Sequence, residues 1–88
     1  MDVQTYQIML QKYLDNFILP KYEDILSYRM RLVEYKFRDK FLFEIRFFMD
    51  GTEESGENEI SDDLVQGLFL LGINKEVIFD AFFDTEFG

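Results

Sequence analysis

The run from Phe41 to Met49 constrains the fold more than any other part of the chain. Phe41, Phe43, Ile45, Phe47 and Met49 alternate with Leu42, Glu44, Arg46 and Phe48. A strict two-residue period sends successive side chains to opposite faces, so the run predicts a β-strand with one buried face. Just upstream, Val33, Tyr35 and Phe37 alternate with Glu34 and Lys36, and Arg38-Asp39-Lys40 makes a short polar turn. Residues 28–37 and 41–49 are therefore expected to pair as an antiparallel β-hairpin. Met30 and Leu32 fall on the opposite parity, which places a bulge or register change near Leu32–Val33. In this register Glu34, Lys36, Glu44 and Arg46 meet across the solvent face.

Around this hairpin the spacing becomes helical. Tyr6, Met9, Leu10, Tyr13, Leu14, Phe17 and Ile18 recur every three or four residues and align on one stripe. Residues 3–18 are predicted to form an amphipathic helix with Asp2 as its N-cap. Pro20 is expected to end it and to push Leu19 out of helical geometry. Lys21 to Ser27 reads as a polar connection into the first strand. The spacing of Tyr22, Ile25, Leu26 and Met30 also fits a short second helix.

After Asp50-Gly51, residues 52–59 (TEESGENE) read as a loop. Ser61 is then placed to cap a helix whose first turn holds Asp62 and Asp63, where the helix dipole favours negative charge. Ile60 is placed to staple onto Val65. Leu64, Val65, Leu68, Phe69 and Leu71 form the predicted buried stripe, and Gly72 the stop. Asn74 caps a last predicted helix, Lys75 to Phe83, with Val77, Ile78, Ala81 and Phe82 inward. The five-residue tail is short, acidic and expected to fray. The expected fold class is α+β in the order α-β-β-α-α. An N-terminal amphipathic helix and two C-terminal helices cover one face of a β-hairpin or small antiparallel sheet. The 88 residues read as a single domain, without an internal repeat or linker.

Composition limits the chemistry. There is no Cys and no His, which removes disulfides, thiolate metal sites, the thiol nucleophile and the commonest general base. Ser27, Ser55 and Ser61 have no base to activate them, and there is no Gly-rich phosphate loop. Solvated carboxylates in these numbers do not have the raised pKa that acid–base work requires. The chain is expected not to be an enzyme and to need no cofactor and no metal. Asp50 to Ser61 has the acidity of a calcium loop. It carries Ser55 where that loop needs Gly, and Ser61 where it needs Glu. The first four residues lack the features of a signal peptide and no apolar run reaches membrane-spanning length, so the expected location is cytoplasmic.

Charge is the remaining signal. The formal net charge is −9. Residues 1–46 hold seven acids and eight bases, whereas residues 47–88 hold eleven acids and one base, Lys75. Naked nucleic acid and anionic membranes are poor partners for such a surface. Residues 61–83 resemble a helix-turn-helix in outline, yet Glu76, Asp80 and Asp84 would meet phosphates with the wrong sign. Glu53, Glu54, Glu57, Glu59, Asp62 and Asp63 put six carboxylates in eleven residues, and Glu76, Asp80 and Asp84 share one face of the predicted last helix.

These nine residues are the candidate partner-binding set. They suggest an inhibitor that occupies the basic nucleic-acid-binding surface of another protein by mimicking DNA. In physical character this is the type of small phage-encoded host-takeover or anti-defence protein, which would act in the host cytoplasm. The alternative is a homodimeric adaptor or regulatory protein that uses an aromatic interface. Sixteen Phe and Tyr rings are hard to hide in so small a core, so some are expected to line a homodimer interface or a partner-binding patch; a homodimer is expected, and in the second reading the acids serve only solubility.

Overall fold

The computed structural model describes residues 2–35, 38–51 and 56–85. They form an α+β unit in which two helices lie side by side on one face of a three-stranded sheet. The first helix begins as α1 (Val3–Tyr13), passes through a π-helical turn (Leu14–Ile18) and closes with α2 (Leu19–Lys21). Strands β1 (Ile25–Tyr35) and β2 (Lys40–Met49) follow, then α3 (Glu57–Leu70) and β3 (Val77–Thr85). No helix among the described residues is long and apolar enough to cross a membrane.

Asp2 caps α1 as expected, its Oδ1 accepting from the Thr5 amide at 2.9 Å. Beyond Tyr13 the helix departs from expectation. Leu19 is helical (φ −60°, ψ −44°) and the chain leaves helical geometry only at Tyr22. The Leu19 amide reaches back to Leu14, an i→i+5 bond. This widened turn comes just before Pro20, where a regular helix would suffer a ring–carbonyl clash and a missing donor. It also explains the core-facing residues. Tyr6, Leu10, Leu14 and Ile18 are buried at steps of four, and in a regular helix each step drifts by about 40° around the axis. The underwound turn offsets that drift. Phe17 is left 64% exposed, stacked on Tyr13 at 5.5 Å, and so drops out of the predicted stripe.

The hairpin forms, with β1 antiparallel to β2. Its second strand behaves as predicted, since Phe43, Ile45, Phe47 and Met49 are all buried. Its first strand has the other parity. Tyr28 lies opposite Phe47, Met30 opposite Ile45 and Leu32 opposite Phe43, and these three pack on the core. Val33 and Tyr35 therefore point away from the helices. Pairing runs without interruption through Leu32 and Val33, and the irregularity sits instead between Ile25 and Ser27. Met30 and Leu32 thus enter the core by parity alone, without a mid-strand bulge. The solvent-face pair is Arg31–Glu44 at 3.0 Å, not the set expected from the Val33 register. Lys36 and Phe37 lie outside the described residues.

The larger correction concerns Val77–Thr85, which is a strand and not a helix. It pairs with β2 in parallel, Phe41 beside Val77 through Met49 beside Thr85, and the sheet order is β1-β2-β3. The sheet is therefore mixed, and α3 is the crossover that returns the chain to run alongside β2. Val77 is buried, and Phe79, Ala81 and Phe83 pack on the core. Ile78, Asp80, Phe82 and Asp84 take the other face. A strand here satisfies the open edge of β2, and Val, Ile and Phe suit a pleated, half-buried surface. Asp84 and Thr85, expected in a frayed tail, are its last residues.

Helix α3 starts at Glu57, four residues before the predicted cap. Gly56 precedes it at φ 107°, a left-handed conformation that suits glycine, and no side chain caps this end. Ser61 is thus interior. Ile60 is fully buried, while Val65 and Phe69 are exposed, so the stripe is rotated towards Ile60, Leu64, Gly67 and Leu68. Gly72 does stop the helix. Its amide bonds to the Phe69 carbonyl and that of Ile73 to the Leu68 carbonyl, both at 3.0 Å, a Schellman closure.

The two helices meet at Gly67. A β-carbon there would lie 2.5 Å from the Tyr13 ring, and Tyr13 is tethered by its hydroxyl, which donates to the Asp63 carbonyl at 2.8 Å. Gly67→Ala is expected to lower stability by about 1–2 kcal/mol, because ring displacement outweighs the gain of about 1 kcal/mol in helix propensity. Urea unfolding of this variant measures the difference.

Candidate functional site

The acidic residues do not form one stripe. Glu53 and Glu54 lie outside the described residues. Glu57, Glu59, Asp62 and Asp63 stand on the first two turns of α3, in the helix layer. Asp80 and Asp84 project from β3 on the opposite side of the sheet, and Glu76 sits exposed in the turn before it, where its carbonyl accepts from the Phe41 amide at 2.8 Å. The shared helical face expected for Glu76, Asp80 and Asp84 is replaced by an outward strand face holding only the two aspartates.

On α3, Glu59 and Asp62 are exposed and Glu57 half-buried. None of the three belongs to an ion pair among the described residues. Helical rise puts Glu57 and Asp62 about 7.5 Å apart along the axis, so the three carboxylates follow one another at about 3.8 Å on average. Duplex DNA carries about one charge per 1.7 Å and each of its strands one per about 3.4 Å. The helix comes close to the density of a single strand, about half that of the duplex.

Asp63 differs from its neighbours. Its Oδ2 accepts from Lys21 Nζ at 2.9 Å and from the Tyr22 hydroxyl, tying α3 to the end of the first helix. Burial pushes the Asp63 carboxyl up, but the hydrogen bonds from Tyr22 and Lys21 outweigh it and hold the group below the ordinary carboxylate range. The Tyr22 hydroxyl is pushed up to about 12, first by burial and then by its bond to Asp63. Asp63 is thus engaged in holding the helices together.

The signs give a test. A depressed Asp63 contributes stability that is present above its unfolded pKa of about 3.9 and lost as pH falls through the lower folded value. A raised Tyr22 contributes stability present below pH ~10 and lost as pH rises from there to about 12. The stability gap between the parent and Asp63→Asn is expected to narrow as pH drops below about 4, and that between the parent and Tyr22→Phe to narrow above pH ~10. Urea midpoints across both limbs would show it.

A groove of about 420 Å³ opens beside this junction, between the end of the first helix and the start of α3, with Glu23, Asp24 and Glu59 on its walls. Glu23 and Asp24 are exposed and enlarge the acidic surface. They stand over thirty residues from Glu59 in the chain, and no local spacing could have joined them to it.

The outward face of the sheet has a different character. By register it carries Arg29, Arg31 and Val33 on β1, then Leu42, Glu44, Arg46 and Phe48 on β2, and Ile78, Asp80, Phe82 and Asp84 on β3. Arg46 pairs with Asp84 at 2.9 Å and lies 5.1 Å over the Phe82 ring, while Arg29 lies 5.8 Å over Phe48. A shallow depression of about 280 Å³ lies between Arg29, Arg31, Arg46 and Phe82. No helix covers this face among the described residues. Nor do they contain a group of three or more acidic side chains placed to hold a metal ion.

Comparison with protein-family models, with curated proteins and with solved structures finds no match to this chain.

Proposed function

We propose that this protein is an acidic, non-enzymatic inhibitor that binds the nucleic-acid-binding surface of another protein, with the start of α3 standing in for a nucleic-acid backbone. The observation that carries this reading is the run of carboxylates on α3. Glu57, Glu59 and Asp62 approach the charge density of a nucleic-acid strand, and none of them is ion-paired among the described residues. Glu23 and Asp24 across the groove extend the same field. A basic groove shaped for phosphates would attract this surface at long range and speed encounter. The half-chain excess of eleven acids over one base points the same way. In physical character the protein suits a phage-encoded host-takeover or anti-defence factor acting in the host cytoplasm.

The test is capture from a bacterial lysate on immobilised protein, followed by elution with rising salt. Basic nucleic-acid-binding proteins are expected to leave as salt increases, because the contact is between exposed charges. Captured proteins that are not basic, or that stay bound in molar salt, would count against the reading.

A further inference from the structure

We propose that the uncovered face of the sheet is a homodimer interface, on which a second copy of this chain packs face to face about a two-fold axis parallel to β2. The face is not uniform. Its β1 side carries Arg29 and Arg31, its β3 side carries Asp80 and Asp84, and Phe48 and Phe82 lie on the strands between and beside them. Two identical faces can meet about an in-plane axis in two simple ways. An axis across the strands lays β1 on β1 and sets arginine against arginine. An axis along β2 lays β1 of each copy over β3 of the other.

The second arrangement sets the basic outer strand of each copy against the acidic outer strand of the other. By register Arg31, Glu44 and Asp80 share one level across the sheet, and Arg29, Arg46 and Phe82 the next. Rotation about the axis along β2 brings Arg31 over the second copy's Asp80 and Arg29 over its Phe82 ring. It does so twice, as an isologous interface requires. Glu44 and Arg46 are set over their own copies, each beside its own ion-pair partner, Arg31 or Asp84. Val33, Leu42 and Ile78 form the apolar level beyond. Sheets packed this way lie about 10 Å apart with strands within about 30° of each other.

Three strands at about 4.8 Å and nine residues at about 3.3 Å give a flat area on the order of 400 Å² per copy, more with side-chain relief. Counted over both copies this is about 800 Å², below the usual size of a specific interface, so the dimer is expected to be weak and concentration-dependent. The exposed patch of Val65, Phe69 and Leu70 on α3 has no charge pattern of this kind to select a partner. Dimerisation through the sheet leaves both acidic helices on the outside, and it does not depend on what they bind.

Sedimentation of the full chain over a concentration series tests this with two charge variants. Arg29→Glu with Arg31→Glu makes both sides of the face acidic, and Asp80→Lys with Asp84→Lys makes both sides basic. Each variant alone is expected to be monomeric where the parent is dimeric, with an unchanged circular dichroism spectrum. An equimolar mixture is expected to associate again, since both contacts between positions 31 and 80 in the mixed pair are then between opposite charges. A parent that stays monomeric at millimolar concentration would overturn the proposal. So would variants that dimerise as the parent does, a mixture that fails to associate while both variants are folded, or a dimer abolished by Phe69→Asp and untouched by the charge variants.

Discussion

Phe43→Ala is expected to remove most of the protein's stability. Phe43 is fully buried at the centre of β2, the strand that pairs on both sides. Truncating a buried Phe to Ala costs about 3–5 kcal/mol, through lost transfer free energy and the cavity left behind. A chain of 88 residues has a total stability of only about 4–13 kcal/mol. The melting temperature should fall by at least about 12 °C, since each kcal/mol is worth about 4–8 °C in a domain of this size. Phe69→Ala provides the contrast. Phe69 is 64% exposed, and its truncation should change stability by no more than about 0.5 kcal/mol. Thermal unfolding of the two variants side by side reads the difference, and equal losses would mean that α3 faces the sheet with another side.

The second large effect concerns binding. Glu57→Lys, Glu59→Lys and Asp62→Lys together change the net charge from −9 to −3 and replace the carboxylate run with a basic one. Because none of the three is paired among the described residues, the fold should survive with only a small loss from the reversed helix dipole interaction, about 0.3–1 kcal/mol for each charge in the first turn. Affinity for the captured basic partner is expected to fall by at least about a hundredfold, mostly through slower association. Asp63 is left out of this set deliberately. Its loss would loosen the Lys21 and Tyr22 contacts and confuse unfolding with loss of binding. Unchanged affinity of the folded triple variant would remove α3 from the binding surface.

Some local signals in the sequence matched local structure, while others did not: Ser61 lies inside α3, Leu19 before Pro20 stays helical and Asn74 precedes a strand. The alternation from Phe41 to Met49 marked β2 and its buried side, Asp2 marked a helix start, and Gly72 marked a helix stop. Each depends on residues a few positions apart. Where structure depends on distant partners, the sequence was ambiguous. Val77, Ile78, Ala81 and Phe82 fit a helical stripe, while Val77, Phe79, Ala81 and Phe83 fit a strand. What decides between them is the vacant edge of β2, some forty residues upstream. Met30 and Leu32 suggested a bulge because Val33, Tyr35 and Phe37 competed for the same face, and pairing with Phe43 and Ile45 resolves the parity.

The candidate site divides in the same way. The carboxylate density of the α3 start was legible because it is a matter of spacing along one segment. The engagement of Asp63 was not, because Lys21 and Tyr22 lie 42 and 41 positions away. Neither was the separation of Asp80 and Asp84 from the α3 acids, which follows from β3 being a strand that faces the other way. The outward sheet face, with its arginines on one side and aspartates on the other, exists only once three strands are in register.

Direct competition tests the central claim, that the acidic helix occupies a nucleic-acid site. A basic partner recovered by capture would be bound to a labelled DNA duplex and titrated with this protein, and the labelled duplex followed by fluorescence anisotropy. If the acidic surface stands in for the backbone, the duplex is displaced completely, with an inhibition constant that weakens steeply as salt rises. A stable ternary complex, in which the partner holds duplex and protein together, would contradict the account.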